Sequence, residues 1–160
     1  ATHVVNLLKK NRSYNPLAMI RNSFQRTKFD LMGVNTILGD LEYPIDHAVI
    51  GCDVVIFAAG SGSHTGKDKT VLVDHLGAIK TMVSAKLNRV KRYIMLSSIK
   101  ADENSKSRIA HYHKAKAYAD RFLMESDLDW TIICPGKLVD KKGEGKVSID
   151  ELNLQLVFSY

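Results

Sequence analysis

Tyr112 and Lys116 stand four residues apart in Tyr112-His113-Lys114-Ala115-Lys116, downstream of the serine pair in Leu96-Ser97-Ser98. On a helix, residues at i and i+4 project from one face a turn apart, so a lysine ammonium there lowers the pKa of the neighbouring phenol. A phenol tuned in this way can donate or accept a proton near neutral pH. Hydride transfer to a carbonyl needs such a donor, and a hydroxyl at a nearby strand end can polarise the carbonyl. The pattern points to nicotinamide-dependent oxidoreductase chemistry: Tyr112 moves the proton, Lys116 tunes it, and Ser98 orients the carbonyl with Ser97 in reserve. The plain readings are a half-buried helix tyrosine and serines that bond local backbone at a strand end.

These residues need a scaffold, and the apolar pattern supplies one. Thr2 to Lys10 has the spacing of an amphipathic helix. Short apolar runs at 17–20, 34–38, 54–58, 93–96 and 130–134 read as strands, and the continuous character of Val54-Val55-Ile56-Phe57-Ala58 suits a parallel strand covered on both faces. Between them lie a weak helix from Phe24 to Met32, a short one around Ile45 to Ile50, and stronger helical spacing over 68–87 and 109–124. Gly77, inside the first of these longer helices, implies a close backbone contact. Alternating strands and helices with short connections imply right-handed crossovers and a doubly wound parallel sheet. Ligands of such sheets bind beyond the carboxyl ends of the strands, and Arg21, Asp40, Gly60-Ser61, Ser97-Ser98 and Pro135-Gly136 all fall at such ends. Lys146 to Ile149 is expected to form a last strand, whereas 151–160 is an apolar tail without an assigned place.

Composition narrows the classes further. The chain has 160 residues, 45% hydrophobic and 25% charged, which suits one globular domain over 1–160. Its net charge of +6 is scattered over many lysines and arginines with few aromatics among them, so nucleic-acid binding is not expected. Two cysteines, Cys52 and Cys134, lie far apart within apolar runs, which favours free thiols in a reducing, cytoplasmic setting. No apolar run is long enough to span a bilayer. His64, His75, His111 and His113 make no metal-ligand spacing with cysteines or carboxylates, and the loop from Gly60 to Lys67 fails the spacing of a P-loop. Asp74 reads equally as a helix-face charge or as a neighbour of a cofactor.

Taken in order and spacing, Ala18-Met19-Ile20-Arg21-Asn22, Gly39-Asp40-Leu41, 52–62, Lys91-Arg92-Tyr93, Leu96-Ser97-Ser98, Tyr112 with Lys116, and 128–132 resemble the atypical short-chain dehydrogenase/reductase-like NAD(P)-binding proteins, near the small bacterial NAD(P)H-binding and epimerase-like members. The resemblance implies a Rossmann-like, three-layer αβα fold. It places Arg21 at the 2′-phosphate of NADP, Asp40 and Leu41 beside the adenine, and Ala58, Ala59, Gly60 and Ser61 along the ribose and pyrophosphate. Lys116 would also bond the ribose hydroxyls, and Pro135 and Gly136 would border the nicotinamide. A guanidinium at Arg21 is chemically suited to a phosphate, so NADP is expected over NAD. Three features depart from the family. The strand and G-x-x-G-x-x-G turn that would precede Ala1 do not occur in the sequence and are expected upstream in the native polypeptide, since their loss opens a central gap in the sheet. Cys134 stands where arginine is usual before Pro-Gly, and Ile99 where many relatives carry a catalytic Ser or Thr. The expected activity is oxidation-reduction or epimerisation of a small carbonyl-type substrate, with oligomerisation open; the alternative is a non-catalytic NADP sensor.

Overall fold

A computed structural model describes residues 1–136 and 138–139 of the chain. The expected strand over 146–149 and the tail at 151–160 lie outside the described residues. The elements are α1 (Thr2–Lys10), β1 (Leu17–Ile20), a 3-10 turn (Ser23–Gln25) leading into α2 (Arg26–Asp30), β2 (Asn35–Leu38), a second 3-10 turn (Asp46–Ala48) and β3 (Val54–Phe57). There follow α3 (Lys67–Lys69), a π-helical stretch (Thr70–His75), α4 (Leu76–Leu87), β4 (Arg92–Leu96), α5 (Ala110–Met124) and β5 (Asp129–Ile133).

Every strand pairing is parallel, as the alternation of strands and helices requires. β1 pairs with β2, and β3, β4 and β5 form a second sheet in that order. Among the described residues no ladder joins β1 to β3, so the two sheets meet through side chains. Met19 and Val55 pack against both the large core and the small cluster of Ile45, Ala48 and Val49. The expected close contact at Gly77 is present: a Cβ there would lie 3.0 Å from the Leu41 Cβ and 3.2 Å from the Leu72 carbonyl oxygen.

The core lies on one face of the β3–β5 sheet, where Phe57, Tyr93, Met95 and Trp130 meet Ala78, Met82 and Ala85 of α4 and Ala119 and Leu123 of α5. The small side chains on the helices let them approach the strands closely. Double-sided cover of β3 is not what the structure shows: Val54 and Ile56 are 44% and 37% exposed, whereas Phe57 is 4% exposed. A continuous apolar run is compatible with either arrangement, because its composition does not say which face is covered.

Candidate active site

The β4–β5 ladder extends past both strands by two bonds and brings the chain segments that follow them side by side. The Ser97 amide donates to the Ile133 carbonyl at 2.8 Å, and the Ile99 amide donates to the Pro135 carbonyl at 3.1 Å. Ser97-Ser98 and Pro135-Gly136 are thereby held next to each other at the carboxyl edge of the sheet. α5 crosses above them and delivers Lys116, whose Nζ donates to the Leu96 carbonyl at 3.0 Å.

Lys116 is the centre of a buried charge cluster. The residue is 3% exposed, its Nζ is 3.8 Å from Asp74 Oδ1, and the ammonium stands 5.9 Å from the ring centroids of both Tyr112 and Phe57. Burial pulls the lysine below its ordinary pKa, and the carboxylates of Asp74 and Asp120 oppose that pull. Tyr112 and Lys116 therefore share one helix face, as their spacing requires.

The expected direction of tuning is reversed at Tyr112. Its phenol is pushed above its ordinary value, first by burial, then by the negative charges of Asp74 and Asp120. One ammonium outside hydrogen-bonding range and already paired with a carboxylate cannot outweigh them. Tyr112 keeps its proton through neutral pH, which suits a donor better than an acceptor.

Asp74, which the sequence left ambiguous, belongs to the buried cluster around Lys116. It is 2% exposed and sits in the π-helical stretch, a local distortion often found at functional sites. Its Oδ2 accepts the Ser61 amide at 2.9 Å, which ties the loop after β3 to the helix. Gly60 makes that approach possible, because a Cβ at residue 60 would lie 2.9 Å from Asp74 Oδ1. Gly60→Ala must displace a carboxylate already held by Ser61 and Lys116, and overpacking of this kind costs about 1–3 kcal/mol. A lowered urea midpoint is the expected result; an unchanged midpoint would mean that the loop moves independently of Asp74.

The serine pair divides its work. Ser97 is buried and donates to Asp120 Oδ2 at 2.5 Å, so its hydroxyl is engaged inside the protein. Ser98 is half-buried, and among the described residues its Oγ accepts a long 3.4 Å bond from the Lys100 amide, leaving it the more available of the two. Asp120, one turn beyond Lys116, was not anticipated. Its spacing was the available signal, since Tyr112, Lys116 and Asp120 repeat at four-residue intervals on one helix.

The expected cofactor residues fall into two groups. Arg21 is exposed at the end of β1, where its amide and that of Asn22 both donate to Gln25 Oε1, at 2.9 and 3.0 Å. Asp40 is half-buried after β2 and accepts the Glu42 amide at 3.0 Å, whereas Leu41 is 6% exposed and belongs to the core. Leu41 thus faces Gly77 and the interior. In the second group Ala58, Ser61 and Pro135 are half-buried, while Ala59, Gly60 and Gly136 are exposed. Lys69 of α3 donates to both Glu42 carboxylate oxygens, at 2.8 and 2.6 Å, and so ties α3 to the segment after Asp40. Ile99 is 42% exposed beside Pro135, and the Cys134 thiol is pushed up by burial and by the Asp120 charge. Among the described residues, no group of three or more His, Cys, Asp or Glu could hold a metal ion, and no helix is long and apolar enough to cross a membrane.

Comparison with known proteins places this arrangement in context. Residues 1–156 match a family described as NAD(P)H-binding. An uncharacterised sugar epimerase of Bacillus subtilis is 41% identical over 150 residues, an alignment covering 91% of this chain and 70% of that protein. A solved putative NAD-dependent epimerase/dehydratase from Bacillus halodurans superposes with a TM-score of 0.83 at 41% identity, covering 89% of this chain and 69% of the other. An oxidoreductase from Lactococcus lactis gives a TM-score of 0.77 at 28% identity, over 90% and 67% of the two chains. The shared fold is Rossmann-like, with helices layered on parallel strands.

Proposed function

This chain belongs to the NAD(P)H-binding family, and from that premise we propose that it is an NADP-preferring oxidoreductase or epimerase-like enzyme acting on a small carbonyl-type substrate. The observation that carries the proposal is the cluster of half-buried Tyr112 with buried Lys116 and Asp74 at the carboxyl ends of β3, β4 and β5. Ligands of parallel α/β sheets bind at these ends, and buried interacting titratable groups are what proton transfer needs. A dinucleotide fits the residues present: Ala59-Gly60 is exposed and nearly free of side chains, so a ligand can approach its backbone, and Arg21 offers an exposed guanidinium at a strand end. The resemblance of this protein to epimerases and reductases supports the same chemistry.

The nicotinamide, when bound, supplies or takes up the hydride. Tyr112 holds the proton that a carbonyl oxygen requires as it becomes a hydroxyl. The Lys116 ammonium offsets negative charge beside it, and bonding to ribose hydroxyls as well would require it to leave the Leu96 carbonyl. Ser98 orients the substrate carbonyl, while Ser97 stays with Asp120. Pro135 and Gly136 border the reacting end, and Arg21 binds the phosphate that distinguishes NADP.

Arg21→Ala removes a charge-assisted bond of about 1.5–3 kcal/mol, so calorimetry should show NADPH binding weakened by roughly tenfold to a hundredfold and NADH binding nearly unchanged. Equal losses for both would remove Arg21 from the phosphate site. A screen of aldehydes, quinones and flavins with NADPH tests the activity; tight NADPH binding with no turnover across the screen would favour a sensor over an enzyme.

A further inference from the structure

Asp120 has a feature that the mechanism above does not use. The residue is 8% exposed, Oδ2 accepts the Ser97 hydroxyl, and Oδ1 is buried without a hydrogen-bond partner among the described residues. A buried carboxylate oxygen left unpaired is costly, and the cost falls if that oxygen carries a proton. The groups around it come from every element packed there: Lys116 and Tyr112 on its own helix, Asp74 from the π-helical stretch, Ser97 after β4 and Cys134 after β5. Arg121, its neighbour in sequence, is turned to Glu103 at 2.8 Å. Two buried carboxyl groups thus share one buried ammonium, which can fully balance only one of them.

We propose that Asp120 is a positioning residue for the Tyr112–Lys116 pair, a buried carboxyl that holds or releases one proton on Oδ1 and so sets the net charge in which the pair works. The inference rests on the catalytic reading of Tyr112. With Asp120 neutral, the cluster of Lys116, Asp74 and Asp120 is balanced; with Asp120 ionised, it carries one excess negative charge, which strengthens the hold of Tyr112 on its proton. Burial lifts the Asp120 carboxyl to about 6, against the opposing effects of the Ser97 hydrogen bond and the Lys116 charge. The switch therefore operates within a physiological range of pH.

The test uses protein labelled with 13C at the aspartate carboxyl carbons and compared with Asp120→Asn, which keeps the side chain's shape and an acceptor for Ser97 but cannot ionise. One resonance, absent from the variant, should titrate near pH 6. Ser97→Ala removes a bond that favours the charged form, so it should move that midpoint upward, and it assigns the same resonance should Asp120→Asn fail to fold. Stability gives a second readout. The ordinary aspartate value is about 4, so between about pH 4 and 6 the folded protein keeps a proton that the unfolded chain releases. Wild-type stability should accordingly fall relative to Asp120→Asn as pH rises through that window, then run parallel above it. In turnover, an inflection near pH 6 should disappear in the variant. An Asp120 resonance titrating below pH 4.5, or unmoved by Ser97→Ala, would overturn the inference. Failed NADPH binding with the titration intact would instead overturn the functional reading, and with it the positioning role, while leaving the proton on Asp120 established; a missing titration with NADPH turnover intact would overturn this inference alone.

Discussion

Asp74→Ala should be the most damaging single substitution in the charge cluster, lowering stability by about 3–5 kcal/mol. Removing one partner of a buried ion pair leaves the other charge uncompensated in the interior, and here the stranded group would be Lys116, whose side chain is 4% exposed against 2% for Asp74. The Ser61 amide would lose its acceptor as well. The effect should be non-additive with loss of the lysine: Asp74→Ala combined with Lys116→Met should be less destabilised than the sum of the two single variants, because neither charge is then left alone. Urea unfolding of the four proteins gives the coupling energy. Simple additivity would mean that the 3.8 Å separation carries no interaction and that Leu96 alone holds the ammonium.

Tyr112→Phe has the other large expected effect, and on rate. The ring and its packing are preserved while the hydroxyl is lost, so NADPH binding should survive and turnover should drop by about 10² to 10⁴. The raised phenol adds a pH signature, because a donor that must stay protonated loses activity only above its own pKa. With burial, Asp74 and Asp120 all pushing that value above 10, the alkaline limb assigned to Tyr112 should lie beyond pH 10. A limb near neutrality that vanishes in Tyr112→Phe would restore the lowered phenol expected from the Lys116 spacing alone.

That reversal shows where sequence reasoning reached its limit. The four-residue spacing of Tyr112 and Lys116 fixes their shared helix face, and the apolar runs locate β3, β4 and β5 with the serines and Pro135-Gly136 at their ends. Electrostatic sign is another matter, since it depends on what else is brought to that face. Asp74 lies 42 residues before Lys116, inside a helix whose apolar spacing looks continuous, and nothing local announces the π-helical stretch that turns its carboxylate inward. The preference for Ser98 over Ser97 agrees with the burial of Ser97 against Asp120, and alternation along an extended chain guarantees that only one of two consecutive residues can face the interior; what the sequence does not reveal is the partner that Ser97 meets there. Leu41 was placed at the adenine by resemblance, yet its burial against Gly77 is a packing contact between the two halves of the fold.

The most direct test of the central claim is calorimetric titration of the protein with NADPH and with NADH, each repeated on Arg21→Ala. Saturable binding of one equivalent, tighter for NADPH, with the preference lost in the variant, is the expected result. Absence of binding by either dinucleotide, or a preference for NADH that Arg21→Ala leaves unchanged, would contradict it.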